Sequence, residues 1–508
     1  MDKFHWIGGN GLAKVTVNGT PFEAQTGALL SSVILPHHTL EMPCAGYGRC
    51  GKCRVVAHGV LSALSDAERA HLTPQEIARG VRLACCTRVE GDCAVTLAGA
   101  AASQIRLAGE MPAFAHDPLF SAYGAAVDIG TTTLAACLYG PDGALLAQAS
   151  APNPQSGWGA DVISRIEAAL CGSGAALAAS VRGGVRSLVL EMAEQAHIPA
   201  EAVDALVVTG NTAMLYLLTH TDPDCLSHAP FAASRLFGET LRAEALGLPC
   251  PRAQVYLPRC MSAFVGADIT TALLASGICT KTDTRMLVDI GTNGEIALWH
   301  RGQLSCCSTA AGPAFEGAGL SMGMAGKTGA VDHVCVQGGA LHAHVIGDGE
   351  PEGICGSGVI DALACLLELE QLDETGLLEQ DPAPIAPPVC LTQKDVRMVQ
   401  LAKSAVCAGL RTLLRAEGLC GGDAAELAVA GGFGSYLDVA SAGRIGLLPE
   451  ELVPRVHVLG NAALSGASML LLNRSFIPSS EAMASGARTV DLSTSAEFMD
   501  AYTEGMFF

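Results

Sequence analysis

The first hundred residues alternate apolar and polar positions in short runs that end at turn residues. Ala13–Val17 alternates and predicts a strand, and Asn18–Gly19 predicts the tight turn of a hairpin. The other elements predicted here are a returning strand over Pro21–Ala24, a short helix over Ala28–Leu35, a strand over Cys53–Ala57, helical turns over Ser65–Gly80 broken at Pro74, and a closing strand over Cys93–Leu97. We therefore expect residues 1–100 to form one small α+β domain.

From residue 123 onward the order of strands, turns and helices occurs twice. D-I-G-T-T-T at Asp128–Thr133 and D-I-G-T-N-G-E at Asp289–Glu295 each follow an apolar strand and precede a hairpin. T-G-N-T-A at Thr209–Ala213 and A-G-G-F-G at Ala430–Gly434 each lie between a strand and a helix. Such internal self-similarity indicates a duplicated α/β domain, with its halves at residues 123–284 and 285–508.

Three segments interrupt these patterns. Residues 101–122 lack periodicity and contain two prolines. They predict a linker that lets the first domain move relative to the second. Gly172–Gly174 and Arg182–Gly184 predict breaks between helices.

Composition narrows the class of protein. The chain has 508 residues, half of them hydrophobic, and a net charge of −20. An acidic chain is a poor nucleic-acid binder, because phosphate binding requires a basic face. We expect no membrane span, since no run of about 18 apolar residues is uninterrupted, and the start lacks a signal-peptide pattern. Most of the 20 cysteines lie in apolar stretches, as free thiols do in the reducing cytoplasm.

Four cysteines near the start have the spacing of a metal cluster site. Cys44, Cys50 and Cys53 are close together, and Cys85 follows in L-A-C-C-T-R-V. This is similar to the plant-type [2Fe–2S] pattern, although the first gap has five residues rather than four. Glycines at 46, 48 and 51 allow the backbone to wrap a cluster closely. With the flanking strands, the pattern favours a ferredoxin-like β-grasp domain.

Other interpretations of these cysteines stay open. Zinc usually takes two separated cysteine pairs rather than three clustered thiolates and one remote, and the thiols could also hold no metal. The fourth ligand is either Cys85 or its neighbour Cys86, and Cys85 fits the motif better. Cys93 is a weaker candidate.

The duplicated turns predict a nucleotide clamp. An Asp at a strand end can hold Mg²⁺ directly or through water, and a Gly-Thr turn offers amides and hydroxyls to phosphate oxygens. Two such turns that face each other would bind a polyphosphate from both sides. The alternative is a duplicated fold with a degenerate pocket. The candidate ATP-binding residues are Gly130, Thr131, Thr132, Thr133, Gly291, Thr292, Asn293, Gly294, Gly431, Gly432 and Phe433.

These motifs carry a family resemblance. With Gly460–Ala467, they resemble the phosphate, adenosine and connecting motifs of the superfamily of acetate and sugar kinases, heat-shock chaperone ATPases and actin. Nearly the whole chain resembles ATP-dependent reductive activators of corrinoid proteins, which join a [2Fe–2S] domain to such an ATPase. Further matches are T-A-A-G-P-A-F-E-G-A at Thr309–Ala318, I-C-G-S-G-V-I-D at Ile354–Asp361 and the C-terminal segment Ile477–Phe508, which we therefore expect to be folded. Larger members have an extra domain where this chain has only residues 101–122.

The resemblance implies a fold and an activity. The second domain is expected to be an actin-like (ribonuclease-H-like) two-lobed ATPase. The chain is expected to return one electron to a Co(II) corrinoid protein and so restore Co(I), with a [2Fe–2S] cluster, ATP and Mg²⁺. Asp128 and Asp289 would position Mg²⁺ or water, and Glu316 would polarise the attacking water, unless it is a structural loop carboxylate.

The implied partners are a corrinoid protein and an upstream low-potential electron donor, and a homodimer is allowed for. Two other classes of function remain as alternatives. One is a small-molecule kinase with a fused redox sensor, and the other is a non-catalytic iron–sulfur and nucleotide-binding scaffold.

Overall fold

The computed structural model describes residues 12–35, 38, 40, 42, 46–49, 51–97, 107, 109, 111–432 and 436–508. The chain divides into two compact units. Unit 1 comprises residues 1–100 and Pro154–Ala168, and unit 2 comprises residues 101–153 and 169–508. The inclusion of Pro154–Ala168 in unit 1 was not anticipated, because sequence analysis assigned it to the first half of the duplicated domain.

Unit 1 is built on a five-stranded sheet of order β2-β1-β5-β3-β4. β1 pairs in parallel with β5, and the other neighbours are antiparallel. Its elements are β1 (Leu12–Val17), β2 (Thr20–Gln25), α1 (Leu30–Ile34), β3 (Arg54–Leu61), α2 (Asp66–His71), α3 (Pro74–Ala78), β4 (Val81–Leu83), β5 (Val89–Thr96) and α4 (Val162–Ala168).

The local sequence explains these elements. Val15 and Val17 are fully buried in β1, as the alternation predicted, and Asn18 and Gly19 have positive φ values of 48° and 87°, as a two-residue hairpin turn requires. The predicted break at Pro74 is confirmed: α2 and α3 are separate helices, each with a capping box at its N-terminus. The three-residue strand β4 was not predicted, since so short a run has no readable period.

The predicted linker is wrong for its second half. Leu119 N donates to Leu471 O at 2.9 Å, and Asn473 Nδ2 donates to Ala115 O at 2.6 Å. The Phe114 ring packs edge-on against Phe476, with centroids 5.4 Å apart. Residues 111–122 are therefore a fixed part of unit 2. Their sequence lacks periodicity because they form an extended segment held by distant parts of the chain.

Unit 2 begins with a half that ends at a helix over Ala267–Ser276. Its elements are β6 (Tyr123–Ile129), β7 (Thr133–Tyr139), β8 (Leu145–Pro152), α5 (Gly174–Gln195), β9 (Val203–Gly210), α6 (Thr212–Thr219), β10 (Glu239–Arg242), β11 (Gln254–Leu257) and α7 (Ala267–Ser276).

The second half of unit 2 contains the longest helix of the described chain, over Gln393–Ala416. Its elements are β12 (Arg285–Ile290), β13 (Gly294–His300), β14 (Gln303–Thr309), β15 (Ala330–Gln337), β16 (Ala340–Val345), β17 (Gly353–Ile354), α8 (Gly356–Glu368), β18 (Ala383–Ala386), β19 (Val389–Leu391), α9 (Gln393–Ala416), β20 (Glu426–Ala430), α10 (Val439–Arg444), β21 (Val456–Gly460), α11 (Ala462–Leu472), α12 (Phe476–Gly486), β22 (Arg488–Thr489) and α13 (Ala496–Glu504).

The two large sheets of unit 2 confirm the predicted duplication. Their orders are β10-β11-β9-β6-β7-β8 and β21-β20-β12-β13-β14-β22, so the run β11-β9-β6-β7-β8 corresponds to β21-β20-β12-β13-β14. In both, a central three-strand meander pairs in parallel with the strand that precedes the later glycine turn. We call the two halves lobe I and lobe II.

Two helices are exchanged between the lobes. Ile269 and Leu273 of α7, from lobe I, pack in the core cluster of the lobe II sheet. Leu464 and Leu471 of α11, from lobe II, pack in the cluster of the lobe I sheet. The helices cross at Gly466, where an added Cβ atom would lie 1.8 Å from Thr271 O. Each lobe therefore completes the core of the other.

The C-terminal segment is folded, as predicted. α13 packs on α9, and the buried Lys403 donates from Nζ to Gly505 O at 2.7 Å. The Lys403 ammonium also lies 4.7 Å from the centroid of the Phe508 ring. Residues up to the last one are thus held by hydrogen bonds and a cation–π contact.

One helical stretch of the described chain, Val162–Gln195, is long and apolar enough to cross a membrane by length and composition alone. It is interrupted at Gly172, where φ is 97°, so the break predicted there is confirmed. The second predicted break, at Arg182–Gly184, is wrong, because α5 continues through it. Buried side chains of α5 such as Val181 and Leu188 account for part of its apolar character.

Candidate functional site

A cavity of ≈ 230 Å³ lies in unit 2 where the strands of the two large sheets end. The turns after β6 and β12 and the later glycine turn contribute its walls, and so do the starts of α8 and α11. Parallel strands present their carboxyl ends at the same edge of a sheet, so the equivalent turns of both lobes reach one space. The segments Thr309–Ala318 and Ile354–Asp361, which carry two of the family matches, contribute to it through Phe315, Glu316, Cys355, Gly356 and Ser357.

Most of the predicted ATP-site residues meet in this cavity. Asp128 and Asp289 are the penultimate residues of β6 and β12. Together with Glu316, the lining residues that sequence analysis named are Asp128, Gly130, Thr131, Thr132, Thr133, Asp289, Gly291, Thr292, Asn293, Gly431 and Gly432.

One described residue of the predicted set, Gly294, does not line the cavity. Gly294 packs behind it, where an added Cβ would lie 2.7 Å from Thr309 Oγ1 and 3.1 Å from Val406 Cγ2. The absence of a side chain there serves strand and helix packing instead. Phe433 lies outside the residues that the structure describes.

Glu316 joins the phosphate-loop candidates of the two lobes. Thr292 Oγ1, from lobe II, donates to Glu316 Oε2 at 2.8 Å. Thr132 Oγ1, from lobe I, donates a short hydrogen bond to the same oxygen. Glu316 ends the 3₁₀ turn Pro313–Glu316, and its neighbour Phe315 is buried in the lobe II core.

The described lining of the cavity is acidic. It includes Asp128, Asp268, Asp289, Glu295 and Glu316 but no lysine, arginine or histidine. Burial is the main cause that raises the pKa of Asp128, Asp268 and Asp289 to about 7 each, and the charge of neighbouring carboxylates adds to it. Burial and the charges of Asp268 and Asp289 raise the pKa of Glu295 well above its ordinary value. The mutual repulsion of these carboxylates, as distinct from their burial, would be relieved by a cation in this space.

Four functional candidates were missed by sequence reasoning. Asp268 and Glu295 supply two of the carboxylates, and Asn461 Nδ2 donates to Asp128 Oδ2 at 3.1 Å. Asn211 Nδ2 lies 3.5 Å from Glu295 Oε1. Glu295 was visible within D-I-G-T-N-G-E, and a repeated Gly-Asn pair, Gly210–Asn211 and Gly460–Asn461, was the signal for the two amides.

The carboxylates fit Mg²⁺ of a particular kind. Among the described residues, no three His, Cys, Asp or Glu side chains converge closely enough to hold an ion unaided. Mg²⁺ is usually held by one or two carboxylates, several waters and the phosphates of its substrate rather than by a protein cage. Asp128 and Asp289, with hydroxyls and turn amides beside them, match that arrangement. Such a cavity can bind a polyphosphate as its magnesium complex.

In unit 1 the structure brings two of the predicted cluster ligands together. Cys53 Sγ and Cys85 Sγ lie 3.3 Å apart. Two metal–sulfur bonds of about 2.3 Å at a tetrahedral angle separate the sulfurs by roughly 3.8 Å, so both thiolates fit one iron. A hydrogen bond to Cys53 and burial raise the pKa of the Cys85 thiol. Cys44 and Cys50 lie outside the described residues.

The loop near these thiols has the backbone that its glycines predicted. Gly46, Gly48 and Gly51 have φ values of 86°, 69° and 63°, a region that favours glycine. Cys86 Sγ lies 3.6 Å from Cys85 Sγ, whereas the described contact of Cys53 is with Cys85. The geometry thus favours Cys85 over Cys86 as the partner of Cys53.

Comparisons with known proteins agree with this geometry. A family described as "C-terminal domain of RACo the ASKHA domain" matches residues 283–508, and one described as "RACo middle region" matches residues 123–281. The corrinoid activation enzyme RamQ of Eubacterium limosum is 35% identical over 419 residues, which is 76% of this chain and 70% of RamQ.

Two further relatives carry related descriptions. The [Co(II) methylated amine-specific corrinoid protein] reductase of Methanosarcina barkeri is 27% identical over 322 residues, which is 55% of this chain and 58% of that protein. A solved structure, described as a reductive activator for corrinoid, iron-sulfur protein, superposes with a TM-score of 0.71 and 25% identity over 98% of both chains.

Proposed function

The chain belongs to the family of reductive activators of corrinoid proteins, and on that basis we propose that it reduces a Co(II) corrinoid protein to Co(I) by an ATP-dependent one-electron transfer. The observation that carries the proposal is the duplicated clamp, in which Asp128 and Asp289 line one cavity with the threonines of both turns. The relatives' descriptions as activation enzyme and reductase favour this activity over a small-molecule kinase.

The cavity residues divide the work of ATP hydrolysis. Asp128 and Asp289 would hold Mg²⁺ or its waters, and Mg²⁺ would neutralise charge on the phosphates. Thr131, Thr132 and Asn293 offer hydroxyl and amide groups to phosphate oxygens. Gly431 and Gly432 leave room for adenosine along the backbone. Glu316 faces the cavity between both turns, where a carboxylate can orient the attacking water.

Unit 1 would carry the electron. Its mixed five-stranded sheet with a short helix supports the ferredoxin-like β-grasp assignment, and the Cys53–Cys85 pair and the glycine loop support a [2Fe–2S] cluster. Such a cluster supplies one-electron redox chemistry. Cys44, Cys50, Cys53 and Cys85 would ligate it, and the loop backbone would shield it and direct amides at its sulfurs.

The need for ATP follows from the driving force. A plant-type [2Fe–2S] cluster has a potential near about −400 mV, and the resemblance implies a Co(II)/Co(I) couple below that. Each 59 mV uphill costs about a factor of ten for one electron. We propose that the nucleotide state changes the closure of the two lobes and thereby the affinity for the Co(II) partner, so that release follows reduction.

The surroundings of the reaction are also proposals. An upstream low-potential donor would reload the cluster, and both would act in the reducing cytoplasm. A homodimer is compatible with the proposed reaction, which needs only one cluster and one clamp.

The deciding experiment follows the corrin absorbance anaerobically. Purified protein with a chemical reductant and a Co(II) corrinoid protein should form Co(I) only when ATP and Mg²⁺ are present. Cys50→Ser should abolish the reduction and leave ATP binding intact. Equal Co(I) formation without ATP would contradict the coupling, and absence of ATP hydrolysis with the partner present would favour the scaffold alternative.

The fourth ligand can be tested separately. Cys85→Ser should lose the visible absorbance and the reduced-state EPR signal of the cluster, whereas Cys86→Ser should keep both. The reverse result would move the ligand to Cys86.

A further inference from the structure

Glu316 occupies an unusual place for a carboxylate in a phosphate clamp. One of its oxygens, Oε2, accepts hydrogen bonds from Thr132 of lobe I and Thr292 of lobe II. Thr292 ends the D-I-G-T motif of lobe II, and Thr132 directly follows that of lobe I, so both hydroxyls lie where a polyphosphate would be bound. A carboxylate oxygen and a phosphate oxygen are both anionic acceptors and use the same kind of donor.

The carboxylate is held at this position by its surroundings. Phe315 is buried beside it, and Gly312 N donates to Thr292 O at 2.8 Å. Gly317 directly follows the 3₁₀ turn and has a φ of 73°, in the left-handed region that favours glycine. Glu316 Oε1 lies against Gly291, 3.4 Å from where a Cβ would be. The turn that carries Glu316 is therefore tied directly to the lobe II phosphate loop.

The charge around Glu316 makes the contact consequential. The cavity already contains four other carboxylates, and the charge of Glu316 contributes to the raised pKa of Asp289. A polyphosphate that entered next to an ionised Glu316 would meet a like charge at short range. Two hydroxyl donors cannot serve both anions with full strength at the same time.

We infer that Glu316 is an internal anion that competes with the polyphosphate for Thr132 and Thr292. When nucleotide binds, the hydroxyls of Thr132 and Thr292 donate to phosphate instead of to Glu316. The charge of the ligand therefore acts on both lobes at once. The released carboxylate then faces the phosphates, where it can orient water. This inference rests on the proposed ATP binding and assigns Glu316 a positioning role before hydrolysis.

The test measures nucleotide affinity by calorimetry on the full chain, with Mg²⁺ present and no corrinoid protein. Glu316→Gln keeps an acceptor of the same size and removes the charge. We expect it to lower the Kd for ATP about tenfold, equivalent to about 1.4 kcal/mol, to lower the Kd for ADP less, and to leave the Kd for adenosine unchanged. Glu352→Gln is the control, because Glu352 is an exposed carboxylate that does not line the cavity.

A second variant keeps the inference falsifiable should Glu316→Gln destabilise the fold. Thr292→Val removes one shared donor, so it should weaken ATP binding and reduce the gain from Glu316→Gln in the double variant. An unchanged or higher Kd for ATP in Glu316→Gln, or additive effects in the double variant, would overturn the competition. Wild-type protein that binds no ATP would overturn the proposed function itself.

Discussion

The two phosphate-loop candidates share a sequence motif but differ in the length of their turns and in their chemistry. In lobe I, Gly130 N donates to Thr133 O at 2.9 Å, and in lobe II, Gly291 N donates to Asn293 O at 3.0 Å. The first loop leads into Leu134, which is fully buried and apolar, whereas the second leads into the buried carboxylate Glu295. Duplication has kept the D-I-G-T motif, whereas the acid directly after the turn is present in lobe II only.

Each lobe's acid is held by an amide from the opposite lobe. Asp128 of lobe I accepts from Asn461 of lobe II, and Glu295 of lobe II lies near Asn211 of lobe I. Both asparagines also cap the helix that follows them. The comparison teaches that the duplicated halves became one site through reciprocal side-chain contacts, while the difference in acids makes the halves unequal.

The largest predicted effect tests whether the acids of the two lobes contribute unequally to ATP hydrolysis. Asp128→Asn should lower partner-stimulated ATP hydrolysis about 10³-fold, because no acid follows the lobe I turn in the way that Glu295 follows the lobe II turn. Asp289→Asn should lower it about 10²-fold, since Glu295, on which the charge of Asp289 acts, remains in the cavity; both values are typical of lost electrostatic stabilisation. Phosphate release at saturating Mg²⁺ measures the difference. Equal losses would mean that the two loops contribute equally.

A second prediction asks whether the exchanged helices hold the halves together. Gly466→Ala should destabilise the protein by about 3 kcal/mol, because the new methyl group would collide with the Thr271 carbonyl in a packed helix crossing. Gly183→Ala is the matched control: nothing lies within 4 Å of that position in the exposed part of α5. It should stabilise by about 0.5–1 kcal/mol. Urea unfolding of the two variants measures whether the free energy of unfolding falls for Gly466→Ala and rises for Gly183→Ala.

A third prediction concerns pH. The folded-state pKa of Asp128, Asp268 and Asp289 is about 7, against 3.8 ordinarily. Between these values the folded state holds protons that the unfolded chain has released. The stability from these groups is therefore complete below the ordinary pKa and is lost as pH rises through 7. We expect the melting temperature in EDTA to fall from pH 5 to pH 8.

Variants and metal ions sharpen the pH prediction. Asp268→Asn should flatten the fall, whereas Asp500→Asn, an exposed acid on α13, should leave it unchanged. Mg²⁺ with ATP should reverse part of the fall, because binding to the ionised form strengthens as pH rises. A melting temperature that rises between pH 5 and pH 8 in EDTA would contradict the raised pKa values of these three carboxyl groups.

The smallest predicted effect is a difference in unfolding free energy between variants of Asn461 and Asn211, whose side-chain amides contact acids of the opposite lobe. Asn461→Ala and Asn211→Ala each remove a helix cap, which costs about 1 kcal/mol in either case. Asn461→Ala should cost about 1 kcal/mol more, because it also removes the donor that lies 3.1 Å from the half-buried carboxylate of Asp128. The contact of Asn211 with Glu295, at 3.5 Å, is too long to add as much. Indistinguishable unfolding free energies would remove this asymmetry.

The sequence alone was sufficient to predict a conformation wherever that conformation is determined within one short motif. The two D-I-G-T turns, the hairpin at Asn18–Gly19 and the break at Pro74 belong to this group, because their conformations depend on neighbouring residues. Asp268 could not be found this way, since an acid in the first turn of a helix is common. Its importance arises from its neighbours in the folded chain.

Long-range contacts account for the remaining failures. Asn461 meets Asp128 across 333 positions of the chain, and the segment 111–122 owes its fixed path to residues near 472. The glycine at 183 looked like a helix break, yet α5 continues because its opposite face packs on the lobe I sheet. Local propensity is overridden wherever tertiary packing contributes more free energy.

Unit 1 contains two separate stretches of chain, residues 1–100 and Pro154–Ala168. An added Cβ at Gly157 would lie 2.2 Å from a methyl group of Leu35, so the second stretch packs tightly on the first. A protein cut at residue 100 would lose this covering, and its exposed apolar surface would invite aggregation. Unit 1 is therefore not a module that a single cut in the chain releases intact. The chain passes between the two units three times, after residues 100, 153 and 168, so that separating them requires three cuts.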